Sequence, residues 1–343
     1  LLLYLQRLGI RKMEAFIIAL IAVIGCCFLI NIIIAQPQLF EVIKGFIPSL
    51  PEAKDLYAAK NMSNALPKET ALYLAIGIIG ATVMPHNLYL HSALVQTRKI
   101  RKDKKGIKEA LKFSFIDSTI ALNIAFLINA AILILAATVF FKTGRTDVGE
   151  IRQAHELLSP MLGSTIASTL FAVALIASGQ SSTVTGTLAG QIVMEGYLRL
   201  RINPMMRRLI TRLLAIIPAI VVIAIFGEDE VDSLLIFSQV ILSLQLGFAV
   251  IPLIHFTSDK KTMGDFAIKP IIKFLAWLVA TVLVYLNVKM VTAEATDFFA
   301  SSDSITGKIV IVLAGLMFAA LLIYSILYPL FGKQKSMVSI QMH

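Results

Sequence analysis

The chain has 343 residues, of which 57% are hydrophobic and only 15% charged, with a formal net charge of +10. A soluble domain is about half apolar and a quarter charged, so this balance, with its apolar surplus in long blocks, excludes a water-soluble fold and indicates membrane spans. The basic excess does not point to nucleic acid, because the lysines and arginines crowd short segments between apolar blocks, where the positive-inside effect puts them.

The chain opens on Leu1-Leu2-Leu3-Tyr4-Leu5, with neither the charged start nor the cleavage pattern of a secretory signal. It reads as the tail of a span, and the sequence is expected to be truncated at its N-terminus. A span needs roughly 20 apolar residues, and the first complete one is predicted at about 15–35. It holds both cysteines, Cys26 and Cys27. As neighbours they exclude a disulfide framework and read as small core residues. A polar stretch follows from Gln36 to Lys68, with prolines at 37, 48, 51 and 67. The second span is predicted at about 70–97 with an interruption at Pro85, the third at about 113–141 and the fourth at about 162–178, continuing in small residues to about 198. Four more are predicted at about 209–226, 232–256, 270–290 and 308–331.

Loop charge orients these spans. One set of loops carries Arg7, Arg11 and Lys12, then the run from Arg98 to Lys108, then Arg199, Arg201, Arg207 and Arg208, then Lys260, Lys261 and Lys269. The alternate loops are more acidic, as in Glu228-Asp229-Glu230, or mixed, as in 36–68. This alternation places the basic set, and the C-terminus with Lys333 and Lys335, in the cytoplasm. Read as solvated loops, the charge runs orient the protein without binding anything.

The informative segment is Ala75-Ile-Gly-Ile-Ile-Gly-Ala-Thr-Val-Met-Pro-His-Asn-Leu-Tyr-Leu-His-Ser92, in mid-span. Pro85 has no N–H, so the carbonyl of Ala81, four residues back, loses its donor. Pro85 also disfavours helical geometry at Met84, and Gly77 and Gly80 loosen the preceding turn. An unpaired carbonyl is costly in hydrocarbon unless it faces protein, water or an ion. Discontinuous helices at the midplane are where secondary transporters bind ions. A thioether is a soft ligand that favours transition metals over calcium or magnesium. The alternative for each residue is plain: a proline kink, and a methionine that only packs.

Met84-Pro-His-Asn-Leu-Tyr-Leu-His-Ser92 resembles the sixth-helix signature of the natural-resistance-associated macrophage protein (NRAMP) family. Gly179-Gln-Ser-Ser-Thr-Val-Thr-Gly-Thr-Leu-Ala-Gly-Gln-Ile-Val-Met-Glu-Gly196 resembles the family's transport signature around its eighth helix, and Phe237-Ser-Gln-Val-Ile-Leu-Ser-Leu-Gln-Leu-Gly247 its tenth. The resemblance covers essentially the whole chain, from the end of the family's fourth helix onward. It implies an all-α, inverted-repeat, leucine-transporter-like fold forming one transmembrane transporter domain over residues 1–343. It also implies proton-coupled import of manganese and ferrous iron, with cadmium, cobalt and zinc as further candidate cargo. Met84 would give its thioether and Ala81 its carbonyl to the metal, with Gln239 a ligand in closed states. His86 and His91 would take part in proton movement, and Arg212 is a weaker candidate for proton exit. The family's first-helix Asp-Pro-Gly-Asn motif, which supplies a carboxylate and an amide, does not occur in this sequence.

His86 and His91 are read as the only histidines within a predicted span; hydrogen bonding between helices is their plainer role. Asp117 is expected to pair with a loop base, and Asn123 and Asn129 to act as amide glue between spans. Arg212, at the entry to a span, snorkels by default. Gly186-x-x-x-Gly190 is a helix-packing motif. The sequence has no phosphate-binding loop, zinc-finger spacing, Gly-x-Ser-x-Gly or His-Glu-x-x-His. No enzymatic activity, nucleotide, nucleic acid or permanently bound cofactor is expected. The expected partners are divalent metal ions, protons and the lipid bilayer, in the plasma membrane. The rival readings are a non-transporting sensor or scaffold of the same fold and an amino-acid carrier, the latter disfavoured by a soft ligand at the break.

Overall fold

The computed structural model describes residues 10–46, 71–145, 148–194, 196, 204–227, 231–301 and 304–331. Arg7, Arg199, Arg201, Glu228-Asp229-Glu230, Lys333, Lys335 and most of the polar stretch 36–68 lie outside them. Among the described residues the regular structure is entirely helical. The helices are α1 (Ile10–Ala35), α2 (Leu39–Gly45), α3 (Ala71–Thr82), α4 (Pro85–Gln96) and α5 (Lys104–Ala136), which runs on through a π turn at Ala137–Phe141. They continue with α6 (Ile151–Leu162), α7 (Thr165–Val193), α8 (Pro204–Phe226), α9 (Val231–Ser258), α10 (Lys260–Met263), α11 (Pro270–Ser301) and α12 (Ile305–Phe331).

Seven segments are long and apolar enough to cross a bilayer, with α3 and α4 together forming one of them, and Leu209–Ile225 within α8 is a shorter apolar stretch. These eight match the eight predicted spans. Their outer surfaces are apolar: none of the most apolar stretch of α12 is buried, and Ile305, Leu313 and Leu316 stand 74%, 60% and 63% exposed. Such a surface is stable only against hydrocarbon. The chain is a multi-pass membrane protein.

The chain divides into two compact units, Leu1–Lys68 with Tyr89–Asp232, and Glu69–Leu88 with Ser233–His343. The first is built on α1 against α7. Ala167, Ala174 and Ala177 of α7 are buried with Ile24, Cys27 and Phe28 of α1 and Leu135 of α5. Small side chains on α7 let backbones approach, and Asn31 Nδ2 donates to the Ala167 carbonyl at 3.4 Å. Of the two cysteines, Cys27 is core as expected, whereas Cys26 is exposed. In Gly186-x-x-x-Gly190 only Gly190 makes a close approach: a Cβ there would lie 2.5 Å from Thr211 Cγ2 of α8, while one at Gly186 would meet nothing within 4 Å.

In the second unit, Tyr73 and Ile76 of α3, Val240 of α9 and Met290 of α11 form the core. Beside them, buried Ser243 and Asn287 make a reciprocal pair. Ser243 Oγ donates to Asn287 Oδ1 and Asn287 Nδ2 to the Ser243 carbonyl, both at 3.0 Å.

Four local expectations change. The third span begins at Lys104 rather than near 113, because the charged residues of its first turns are good helix formers. The predicted fourth span is α7, and a helix not predicted from the sequence, α6, precedes it and ends at Gly163 in the left-handed conformation (φ 62°) with Ser164 N–H donating to the Ser159 carbonyl at 3.2 Å. Asn123 Nδ2 donates to the Thr119 carbonyl of its own helix at 2.8 Å, rather than to a neighbouring helix among the described residues. His255 is a third histidine within a span: it already falls inside the span predicted at 232–256, and α9 runs on past it to Ser258, with Thr257 Oγ1 donating back to the Leu253 carbonyl at 2.8 Å. Asp117 pairs with a loop base as expected, Arg98 Nη2 donating to its Oδ2 at 3.0 Å.

The Ser243–Asn287 pair sets a prediction. Asn287→Leu leaves the buried Ser243 hydroxyl without its acceptor and removes the second donor to the Ser243 carbonyl, and should cost ~1–2 kcal/mol. Thermal unfolding in detergent should show a clear loss of Tm, partly restored when Ser243→Ala is added. An unchanged Tm in the single variant would mean the pair does not join α9 to α11.

Candidate metal site

Pro85 organises the break. At the first position of α4 its fixed φ suits a helix start, and its absent N–H is one that would have had no intrahelical acceptor. The same absence leaves the Ala81 carbonyl, in the last turn of α3, without its donor. Val83 N–H still donates to the Ile79 carbonyl at 2.9 Å, and Asn87 N–H to Met84 at 3.0 Å. The regular ladder therefore stops and restarts around Val83 and Met84. Thr82 Oγ1 braces the final turn of α3, donating to the Ile78 carbonyl at 2.7 Å. Ala81 is exposed, Met84 half-buried and Pro85 buried.

The segment Ala71–Gln96 contains no Asp, Glu, Lys or Arg, so helix ends supply its electrostatics. The C-terminal end of α3 carries partial negative charge and the N-terminal end of α4 partial positive charge. A cation at the break is drawn to the α3 side, where Ala81 lies.

Gly80 docks this turn onto α9. A Cβ at Gly80 would overlap the Gln239 carbonyl oxygen and lie 3.0 Å from Ser243 N. Only glycine allows this backbone-to-backbone approach. The turn bearing Ala81 is thus held on the turn bearing Gln239. Gln239 Nε2 donates to Ser238 Oγ at 3.1 Å, and its Oε1 is buried with no partner among the described residues. A buried oxygen left as an open acceptor calls for an explanation.

The remaining sequence candidates are dispersed. His86 is half-buried in the first turn of α4, and His91 is exposed further along it. Arg212 belongs to α8 in the other unit and does not snorkel. Its Nε donates to Thr187 Oγ1 of α7 at 3.3 Å, and its Nη2 is buried without a partner among the described residues. Gln191 Nε2, one turn beyond Thr187, is likewise buried and unpaired. Sequence reasoning passes over Ser238, Thr187 and Gln191. The available signal is a polar residue within an otherwise apolar helix. Among the described residues no group of three His, Cys, Asp or Glu side chains is placed to hold a metal. The candidate residues named from the sequence, Met84, Ala81 and Gln239, offer only neutral groups: a thioether, a carbonyl and an amide oxygen.

The sequence matches the natural resistance-associated macrophage protein-like family over residues 1–293. The chain belongs to this family. It is 52% identical over 297 residues to the divalent metal cation transporter MntH of Listeria innocua, covering 87% of this chain and 63% of that protein. It is 56% identical over 290 residues to the MntH transporter of Bradyrhizobium diazoefficiens, covering 84% and 62%. The chain thus spans somewhat under two thirds of these relatives' length. The crystal structure of a manganese transporter from Eremococcus coleocola, solved with an aromatic bis-isothiourea compound, superposes with a TM-score of 0.78 at 37% identity, over 96% of this chain and 69% of that one. The fold is the NRAMP form of the leucine-transporter-like architecture.

Two glycines of α3 give a discriminating test of this docking. Gly80→Ala should cost ~1–3 kcal/mol by forcing α3 off α9. Gly77→Ala, whose Cβ would meet Ile236 and Val240 methyls at 3.8 and 3.9 Å, should be neutral or slightly stabilising. Thermal unfolding of the two variants reads the difference. Equal behaviour would mean that Gly80 is not the contact point.

Proposed function

We propose that the protein imports divalent transition-metal ions, manganese and ferrous iron foremost, coupled to protons and by alternating access. One observation carries this reading. A proline break in an uncharged span sets a thioether close in sequence to a carbonyl that proline deprives of its helical donor, docked by glycine on a helix whose glutamine oxygen lacks a partner among the described residues. The named activities of the relatives agree with it.

In this reading Met84 Sδ, the Ala81 carbonyl and Gln239 Oε1 donate to the metal. The oxygens serve any divalent ion, and the sulphur favours the softer ones. Three neutral donors leave a divalent charge uncompensated, so the complete site needs an anionic ligand, the part the resemblance gives to the family's Asp-Pro-Gly-Asn motif. Relative movement of the helix segments would expose the site to each side in turn. His86 and His91 would take up and pass protons, and Arg212 would assist their exit toward the cytoplasm. The transport domain embraces the whole chain, lies in the plasma membrane and keeps its C-terminus cytoplasmic. No nucleotide takes part, because ion gradients supply the driving force.

Uptake by the intact protein in vesicles tests the assignment. Met84→Ala should leave manganese transport largely intact while narrowing the preference for manganese over calcium about tenfold. A variant that still excludes calcium as well as wild type would remove the thioether as the filter. Absence of any manganese uptake by wild type would remove the transport reading itself.

A further inference from the structure

The turn joining α4 to α5 is more than a basic loop. Residues 98–117 hold eight lysines and arginines against three acids, a net charge of +5. Topology alone accounts for a positive turn between two spans. It does not account for the fold of this one. The stretch Arg98–Arg101 is pressed onto the start of α5, enclosing a cleft of about 450 Å³. Gly106 makes the contact: a Cβ there would lie 2.5 Å from Arg101 Cβ and 2.6 Å from its carbonyl oxygen.

The cleft has two kinds of wall. Arg98, Lys99 and Arg101 line one part, with Glu109 the one acid among them. Arg98 is fixed by Asp117 at 3.0 Å and Arg101 by Glu109 at 2.8 Å, yet their side chains remain 47% and 68% exposed. Each guanidinium is oriented by one acid and keeps other N–H groups for a second acceptor. The other part is apolar, with Val95, Leu111 and Phe113. This part is continuous with the exposed apolar face of α5, where Phe113 and Phe115 are 65% and 73% exposed. From Lys104 to Phe113 the helix climbs about 14 Å, which takes it through the headgroup layer and into hydrocarbon.

We infer that this cleft is a binding site for an anionic phospholipid of the adjoining leaflet. The lipid phosphate lies on Lys99 and the two arginines, and an acyl chain lies against Leu111 and Phe113. Free phosphate would satisfy the basic wall and leave the apolar wall unused, so a lipid is the occupant that matches both. The inference rests on the membrane fold and is independent of which ion the protein carries.

Native mass spectrometry of the delipidated, intact protein tests it, with phosphatidylglycerol and phosphatidylcholine of identical chains as probes. Phosphatidylglycerol should bind about 5–25-fold more tightly, as expected for one or two effective charge contacts. That preference should vanish in Lys99→Gln/Arg101→Gln and persist in Lys260→Gln/Lys261→Gln, which removes the same charge elsewhere. Gly106→Ala keeps every charge but displaces Arg101, and it should also lose the preference. Equal binding of the two lipids by wild type would overturn the site, as would equal losses in the two double variants or a full preference in Gly106→Ala. Displacement of phosphatidylglycerol by equimolar inorganic phosphate would assign the cleft to a free anion instead.

Discussion

A hydrogen bond that cannot form, the one between Pro85 and the Ala81 carbonyl, governs the architecture around the break. In water the loss would be small, because solvent would take the carbonyl. Within a span the carbonyl must find protein, water or an ion, and the helix has to be rebuilt around it. Pro85 restarts the helix at the position where proline fits best. Thr82 closes the preceding turn with its own hydroxyl. Gly80 then lets α9 close on the stump of α3, backbone against backbone. Each step follows from the one before, and together they leave the partly negative end of α3 docked on the turn of α9 that carries Gln239, whose Oε1 has no partner among the described residues.

Around this break the second unit is stiffened by Ser243 and Asn287. Ser243 joins the two functions. Its amide nitrogen lies under Gly80, and its hydroxyl and carbonyl tie α9 to α11 through Asn287. The break thus rests on the residue that ties α9 to α11, and α3 also packs directly on Met290 of α11 through Tyr73 and Ile76.

The sequence makes the spans legible because twenty apolar residues and a basic loop are local patterns, and all eight predicted positions coincide with apolar helices. The break is legible for the same reason: Pro85 acts on a residue four positions away. What the sequence hides is tertiary. Gly80 reads as a loosening residue, yet it is the contact with Gln239, and nothing near residue 80 marks a partner near 239. Arg212 reads as a snorkelling side chain and instead turns inward to Thr187. Asn123 reads as interhelical glue and folds back on its own turn. Polar side chains in a span choose among several nearby acceptors, and the choice depends on which helix lies alongside.

The break as a metal site is the claim on which the functional account stands. Manganese-edge anomalous diffraction from crystals of the intact protein grown with manganese addresses it most directly. A peak bounded by Met84 Sδ and the Ala81 carbonyl, and lost in Met84→Ala crystals soaked with calcium present, is the predicted result. A strong peak elsewhere, with none at the break, would contradict the account and assign Pro85 a purely structural kink.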